Sequence, residues 1–415
     1  MFHLSRLTRL PCFIIVAAAV ATCTLIGLQM RYRHATTTQT KSIETKRKYN
    51  FQEYLDAFEQ RTDHGDEWNG GCKIVQYNAV PNYIMCLHSR EQDRYVSGTF
   101  WNGGVWEKSG INAVLHVLKR YDTNSLFIDI GANIGAYTIA IAAAGYSVIA
   151  VEATKVNGDL LQKSIALNGF QDNVTYIQSA VSDPEYIKSV HCGGNGNNTN
   201  CSSTANVSHI NIYINPTNAG GSWVDLNKQL AYEIGGRLSG IKPSSESVPV
   251  ATMDSLVAFL PNTSLAQSEN AVSIIKMDIE THECIALRQS QKLLAAANVV
   301  AIFTELLLVG SPVYHLPDQQ RILSINRDVI KQKSTQNQSK NVTVYQRCIE
   351  TMMHTLHEQG FQHGFCAKCA PYARRKFLLK YWSVNADGEK QLNGGFDPGL
   401  MDFIIFKNNA DLDWL

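Results

Sequence analysis

FIDIGANIGAYT, Phe127–Thr138, is the stretch whose reading decides the fold. The apolar run Ser125–Ile130 reads as a buried strand that stops at a glycine, and the small apolar residues of Ile134–Ala144 read as a helix packed on a sheet. Between them the chain turns through Gly131 and Gly135. Glycine is needed where backbone adopts positive φ or must approach a ligand closely. The helix start is then expected to offer unpaired N–H groups to a charged ligand.

Working outward, Ser147–Val151 reads as a second buried strand, closed by Glu152. An acidic side chain at that place accepts hydrogen bonds from two ribose hydroxyls. The amphipathic segment Asp159–Asn168 stops at Gly169, Val174–Gln178 reads as a third strand, and Asn112–Arg120 has helical spacing upstream. Strands alternating with helices at this spacing predict an α/β fold with a doubly wound, mostly parallel, Rossmann-like sheet. Two cofactors compete for such a turn. A dinucleotide site calls for G-x-G-x-x-G, but here Asn133 replaces the middle glycine and Asp129 precedes the first. An acid is unwelcome beside a pyrophosphate and can pair with an amino group, so S-adenosylmethionine fits better than NAD. A glycine-tightened turn without ligand is the plain alternative, and Glu152 downstream argues against it.

A second motif, Ile274–Glu283 (IIKMDIETHE), brings Asp278 and Glu280 to the C-terminal edge of a strand, where an open α/β sheet places its ligand crevice. Strand alternation would set Lys276, Asp278 and Glu280 on one face. Three polar groups on a core strand are costly unless paired or used, and a structural Lys276–carboxylate pair is the competing reading. His282 and Glu283 follow at a helix start, where a solvated cap is the competing role. A methyl donor at the first turn would call for in-line alignment of an acceptor and removal of its proton. Asp278 or Glu280 is the candidate base and His282 the second, while a divalent ion held by the acidic pair stays open.

DIGANIGAYT at 129–138, VEA at 151–153, VPVATMDSL at 248–256 and IKMDIETHE at 275–283, in this order, resemble the FkbM-type methyltransferase family over about residues 112–310. The resemblance implies a class I methyltransferase fold and S-adenosylmethionine-dependent O-methylation, often of sugar or polyketide hydroxyls. It implies that Asp129, Gly131, Asn133, Gly135 and Glu152 bind the cofactor and that Asp278 and Glu280 line the reaction centre. Thr281 stands where the family has glycine. A Cβ and hydroxyl there would narrow the pocket or change which acceptor fits.

The flanks speak to topology. Pro11–Met30 carries no charge and is bracketed by Arg6, Arg9, Arg31 and Arg33. A spanning helix needs about 20 apolar residues, whereas a signal-peptide core needs roughly 7–15, which favours an anchor over a cleaved signal. Charges on both sides leave the positive-inside rule silent. Sequons at Asn173, Asn197, Asn200, Asn206, Asn262, Asn337 and Asn341 point to the secretory lumen. So do Cys72, Cys86, Cys192, Cys201, Cys284, Cys348, Cys366 and Cys369, an even set able to form disulfides. The expected organisation is a cytoplasmic tail at 1–10, a transmembrane helix at 11–30, a stem at 31–67 and a β-rich lead-in at 68–111 that Cys72 and Cys86 could staple. The catalytic domain follows at 112–410, with insertions at about 190–208, where Cys192 and Cys201 could clasp, and 316–344. That makes a type II protein of the Golgi or endoplasmic reticulum.

The remaining signals are weaker. A net charge of +1 and a pI near 7.6 argue against nucleic acid as a partner. Cys366 and Cys369 have the spacing of a zinc half-site or redox pair, but Cys348 nearby makes a disulfide cluster the expectation. Trp223 could face a sugar acceptor or be buried, and Glu305 reads as a sheet-edge residue. The expected partners are a glycan or another hydroxyl-bearing acceptor and, through one helix, the membrane. A membrane-anchored protein keeping this fold for binding or trafficking is the alternative, and Thr281 is the one feature that leans that way. A glycosyltransferase suits the topology but calls for an Asp-x-Asp at a strand end, and no persuasive one is present.

Overall fold

The computed structural model describes residues 65–66, 70–191, 208–214, 218–224, 244–261, 270–280, 282–308, 348, 351–366, 376–378 and 399–407. The apolar run at 11–30, most of the stem, the Cys192–Cys201 clasp, the 316–344 insertion, Thr281 and Cys369 lie outside the described residues. Among the described residues no helix is long and apolar enough to cross a membrane.

The centre is an eight-stranded sheet. Strand β4 (Leu126–Ile130) is buried along its whole length, because a parallel strand covered on both faces reads as a continuous apolar run. It pairs in parallel with β5 (Ser147–Glu152), which pairs in parallel with β6 (Val174–Gln178). The chain then returns to the other side of β4, where β11 (Ser273–Met277) and β12 (Val299–Leu308) continue the parallel set. Three antiparallel strands finish that edge: β15 (Gly399–Phe406) against β12, β13 (His363–Cys366) against β15, and β14 (Lys376–Leu378) against β13. Winding reverses between β4 and β11, so a crevice is expected at the carboxyl ends of these two strands.

Alternation along the strands sends side chains into two cores. Phe127, Val148, Ala150, Ile274 and Phe303 enter one, and Ile128, Ile130, Val151, Ile275 and Met277 enter the other. The first core lies under helix α3 (Ala136–Ala143), every residue of which is buried. A helix apolar all round needs cover on its outer side. The cover comes from strand β3 (Tyr83–Leu87) and helix α2 (Lys108–Leu118), whose Tyr83, Met85, Leu87, Ile111 and Val114 join the same cluster as Ile139 and Ile141. The lead-in is therefore a second layer of the domain. It is β only at its start, in β1 (Gly65–Asp66), β2 (Gly70–Val75) and β3, and then helical, with α1 (Val96–Trp101) preceding α2. Cys72 and Cys86 face each other across the β2–β3 hairpin and are joined.

Helix α4 (Lys155–Asn168) holds that hairpin through side chains that act as a missing strand. Asn168 Oδ1 accepts from Ile84 N at 2.8 Å, its Nδ2 donates to Ile84 O at 2.7 Å, and Ser164 Oγ accepts from Cys86 N at 2.9 Å. The edge of β3 is thereby paired rather than left open.

Ile210–Ile214 belongs to a separate four-stranded sheet of β7 (Ala180–Val181), β10 (Ser244–Ala251), β8 (His209–Ile214) and β9 (Trp223–Val224). VPVATMDSL divides between β10 and a 3-10 helix, Met253–Phe259, whose cap Thr252 accepts from Ser255 N at 3.0 Å. After α5 (Pro184–His191), residues 283–296 form not one helix but α6 (Glu283–Ala286), a 3-10 turn (Leu287–Gln289) and α7 (Gln291–Ala296). At the break Ser290 Oγ donates to Leu287 O, a side-chain bond that competes with the helical ladder. The pairing expected for Cys348 is corrected: it is bonded to Cys284, because Cys348, Met352 and Leu356 pack with α6 in the second core.

Asn168→Ala would strand the buried N–H and C=O of Ile84. Each unsatisfied group costs about 1–3 kcal/mol, so a loss of roughly 2–6 kcal/mol is expected in urea unfolding, with the m-value unchanged.

Candidate active site

An open cleft lies at the switch point, walled by the turns that follow β4, β5 and β11. Gly131 and Gly135 adopt φ of 77° and 94°, and neither has room for a side chain. A Cβ at Gly131 would overlap the Asp278 carbonyl and one at Gly135 would overlap Leu161. The two turns of the switch point are thus in backbone contact.

The turn is satisfied from within. Gly131 N and Ala132 N donate to Val151 O at 2.9 and 3.0 Å, Asn133 N to Glu152 Oε2 at 2.9 Å, and Ile134 N to Asn133 Oδ1 at 2.7 Å. Gly135 N donates to Ala132 O at 2.8 Å. From 131 to 135 each backbone N–H is thus spent on the protein, ahead of the helix start at Ala136. Asn133 holds φ of 54°, a left-handed conformation that asparagine tolerates better than most residues.

Glu152 lines the cleft with its carboxylate anchored on both oxygens. Oε1 accepts from Thr154 N at 3.0 Å and Thr154 Oγ1 at 2.7 Å, while Oε2 accepts from Asn133 N. An ionised carboxylate has about four acceptor positions, so Oε2 keeps capacity for a ligand hydroxyl. Asn157 reinforces this corner, donating to Glu152 Oε1 at 3.4 Å and Ala219 O at 3.2 Å while its Oδ1 meets His88 Nε2 at 2.7 Å.

Asp129 sits behind the turn. It is fully buried, accepts from Thr138 Oγ1 at 2.7 Å and stands 3.8 Å from Lys276 Nζ, and it is not part of the cleft wall. Burial raises its pKa despite the opposing pull of Lys276 and Thr138. Lys276 is the hinge of the arrangement. Its ammonium donates to Gly131 O at 3.1 Å, pairs with Asp278 Oδ2 at 3.4 Å and lies 5.3 Å from the centre of the Tyr137 ring. Burial works against its charge, but Asp278, Asp129 and Glu107 outweigh that and hold its pKa above the ordinary lysine value.

Asp278 and Glu280 both line the cleft, but not as neighbours on a strand. Strand β11 ends at Met277, so the expected alternation stops there, and Glu280 turns with φ of 55°. The Glu280 carboxyl is pushed up to about 8, first by burial and then by Asp278 and Glu283. His282 is no solvated cap: it is 1% exposed, and its Nε2 lies 2.7 Å from Ser182 Oγ. Burial, aided by Arg288, lowers its pKa to about 4. Glu283 is also buried, with Oε1 accepting from Ile279 N at 3.0 Å, a structural role. Among the described residues no three His, Cys, Asp or Glu side chains gather at metal-binding distance.

Trp106, Tyr137 and the turn at 218–222 also wall the cleft and were not singled out as site residues from the sequence, apart from Trp223 next to that turn. Gly220 lies against the Asn133 amide and Gly221 near Glu280 Oε1. Ala219 N donates to Gln92 O at 3.2 Å, which ties the turn to the lead-in. These residues are far apart in sequence, and only the Gly220-Gly221 pair hinted at a close approach. Glu305 pairs through its backbone with Asp402 in the sheet and does not line the cleft.

Residues 129–323 match the family model of the methyltransferase FkbM domain, beginning at Asp129 and including both motifs that build the cleft. No curated protein matches the chain. Among solved structures, the O-methyltransferase from Bacillus cereus in complex with SAH is 11% identical, with a TM-score of 0.31 over 73% of this chain and 82% of its own. The precorrin-6y C5,15-methyltransferase from Geobacter metallireducens GS-15 is 7% identical, with a TM-score of 0.26 over 72% of this chain and 88% of its own. Likenesses this loose carry no argument about chemistry.

Lys276→Met would leave the buried Asp129 without its cation. Breaking one side of a buried pair costs about 3–5 kcal/mol, expected in full in denaturant unfolding at pH 7. The deficit should shrink as pH falls, because Asp129, with its raised pKa, takes a proton and ceases to need the ammonium.

Proposed function

We propose that this chain, which carries an FkbM methyltransferase domain over residues 129–323, transfers a methyl group from S-adenosylmethionine to a hydroxyl of a glycan or glycoconjugate in the secretory lumen. The observation that carries the donor assignment is the polarity of the cleft's floor. A pyrophosphate asks the turn for N–H donors, and here those of 131–135 are bonded internally. A nucleoside ribose asks for an acceptor, and Glu152 Oε2 offers one at the end of β5. Gly131, Asn133 and Gly135 shape the turn so that a ligand can lie against its backbone. Asp129 supports the site from behind, through Lys276 and Thr138.

The donor would supply an electrophilic methyl group on sulfur. A C–O bond forms at the acceptor as the C–S bond breaks, and the hydroxyl proton must go to a base. Glu280 is that base. Its raised pKa brings it near working pH, where a carboxylate both accepts a proton and exists in useful amount. Asp278, held by Lys276 at the same edge, accepts a hydrogen bond from the acceptor and orients it. His282, neutral and tied to Ser182, shapes the turn between them and the second core.

Support for the lumen comes from the joined pairs Cys72–Cys86 and Cys284–Cys348, which favour an oxidising compartment. The sequons and the uncharged run Pro11–Met30 add to it. The reading is of a type II membrane protein of the Golgi or endoplasmic reticulum, with the domain on the lumenal side.

Calorimetry should detect S-adenosylmethionine and no heat from a nucleotide sugar. Glu152→Gln should weaken the cofactor about tenfold, the order expected for one hydrogen bond to a charged group, and an unchanged affinity would refute the ribose contact. Once an acceptor is found by labelled methyl transfer to a glycan panel, kcat/KM should rise with pH through about 8, as Glu280 loses its proton. Glu280→Gln should abolish that limb and lower turnover by about 10²–10⁴. On gels, peptide N-glycosidase should increase the mobility of the expressed chain; resistance to it would remove the case for the lumen.

A further inference from the structure

Among the described residues, four that are not glycine have positive φ: Glu107 at 45°, Asn133 at 54°, Glu280 at 55° and Asn298 at 46°. Asn133 and Glu280 wall the cleft. Strain of this kind persists only where the surroundings enforce it, and it gathers at functional sites. Glu107 has no role in the chemistry set out above, yet its surroundings enforce it. Its Oε2 accepts from Tyr137 Oη at 2.9 Å, and Gly110 lies so close that a Cβ there would overlap the same phenol oxygen. Tyr137 walls the cleft beneath the Lys276 ammonium. Trp106, the residue before Glu107, is half-buried and walls the cleft too.

We propose that Trp106 is the platform for the acceptor, taking the C–H face of a pyranose ring, and that Glu107 is the positioning residue that holds it there. The inference rests on the methyltransferase reading and adds the residue that selects the acceptor. Two observations place Trp106 on the acceptor side. The Tyr137–Glu107 bond ties its corner to Lys276 and Asp278, whereas the ribose acceptor Glu152 lies across the turn at the end of β5. The wall there also has two characters, aromatic at Trp106 and Tyr137 and acidic at Asp278 and Glu280. A pyranose is divided in the same way, with an apolar face and a rim of hydroxyls. Laid on the indole, it would turn its rim to the carboxylates, where one hydroxyl must lose a proton. An acyclic polyol has the hydroxyls without the face.

The test uses the purified full-length chain saturated with S-adenosylhomocysteine, with methyl pyranosides and sorbitol as probes, read by ligand-observed saturation-transfer NMR. Saturation of pyranoside ring protons but not of sorbitol is expected. Trp106→Ala should weaken pyranoside binding about tenfold, in keeping with one aromatic contact, and Trp106→Phe should restore most of it. Glu107→Ala should weaken it similarly, whereas Glu107→Gln, which still accepts from Tyr137, should not. S-adenosylhomocysteine affinity should be unchanged in all four variants. Equal pyranoside binding by wild type and Trp106→Ala, no preference for pyranosides over sorbitol, or a loss of S-adenosylhomocysteine affinity in Trp106→Ala would each overturn the assignment. Failure of the wild type to bind S-adenosylhomocysteine would instead overturn the methyltransferase reading beneath it.

Discussion

A lysine ammonium buried where two parallel strands end is the interaction on which the site depends. Lys276 leaves β11 and reaches the carbonyl of Gly131 at the end of β4, while pairing with Asp278 on its own turn and approaching Asp129 beneath. Removing such a charge from water costs several kcal/mol, and the cost is met because its neighbours are carboxylates or a carbonyl. The bond to Gly131 crosses the switch point, so the turn beside Glu152 and the turn carrying the acids cannot drift apart. The same cluster has more acids than cations. Burial first, with Asp278 adding to it, raises the pKa of both Asp129 and Glu280, and one of those shifts is what suits Glu280 to accept a proton.

The turn between β4 and α3 is bonded from within over 131–135. Its amides bond to Val151, Glu152, Asn133 and Ala132, and Glu152 in turn is fixed by Thr154. A ligand there meets a preset surface with an acceptor edge and pays little to order it. Asn133, where a dinucleotide site would have glycine, makes this closure, since its side chain takes one amide and its own amide goes to Glu152.

Packing and function share one cause in the lead-in. Helix α3 is apolar on all sides, which lets it lie close on the sheet but leaves its outer surface in need of cover. The hairpin and helices of 70–118 supply that cover, fastened by Asn168 and Ser164. In crossing over α3 they bring Trp106 to the cleft and Glu107 against Tyr137, a residue of α3 itself. The layer that stabilises the core is thus also part of the site wall.

The parallel sheet and the turn from Asp129 to Gly135 were legible in the sequence, because buried parallel strands are unbroken apolar runs and glycines mark positive φ. Asp278 and Glu280 were legible as charges at a strand's end. Their geometry was not: the strand stops at Met277, and Glu280 is turned by a backbone conformation that no residue type announces. Likewise nothing in FIDIGANIGAYT says that the amides of 131–135 are spent internally or that Asp129 stays behind the turn, since both depend on Val151, Glu152 and Lys276 arriving from other strands. Pairing of Cys348 with Cys284 rather than with its sequence neighbours has the same origin. Local pattern determines which segments are strands, helices and turns, because periodicity and φ are properties of neighbouring residues. Which polar groups meet, and therefore their charge and their use, is decided by tertiary structure, because burial and pairing join residues from separate strands and from the layer that covers them.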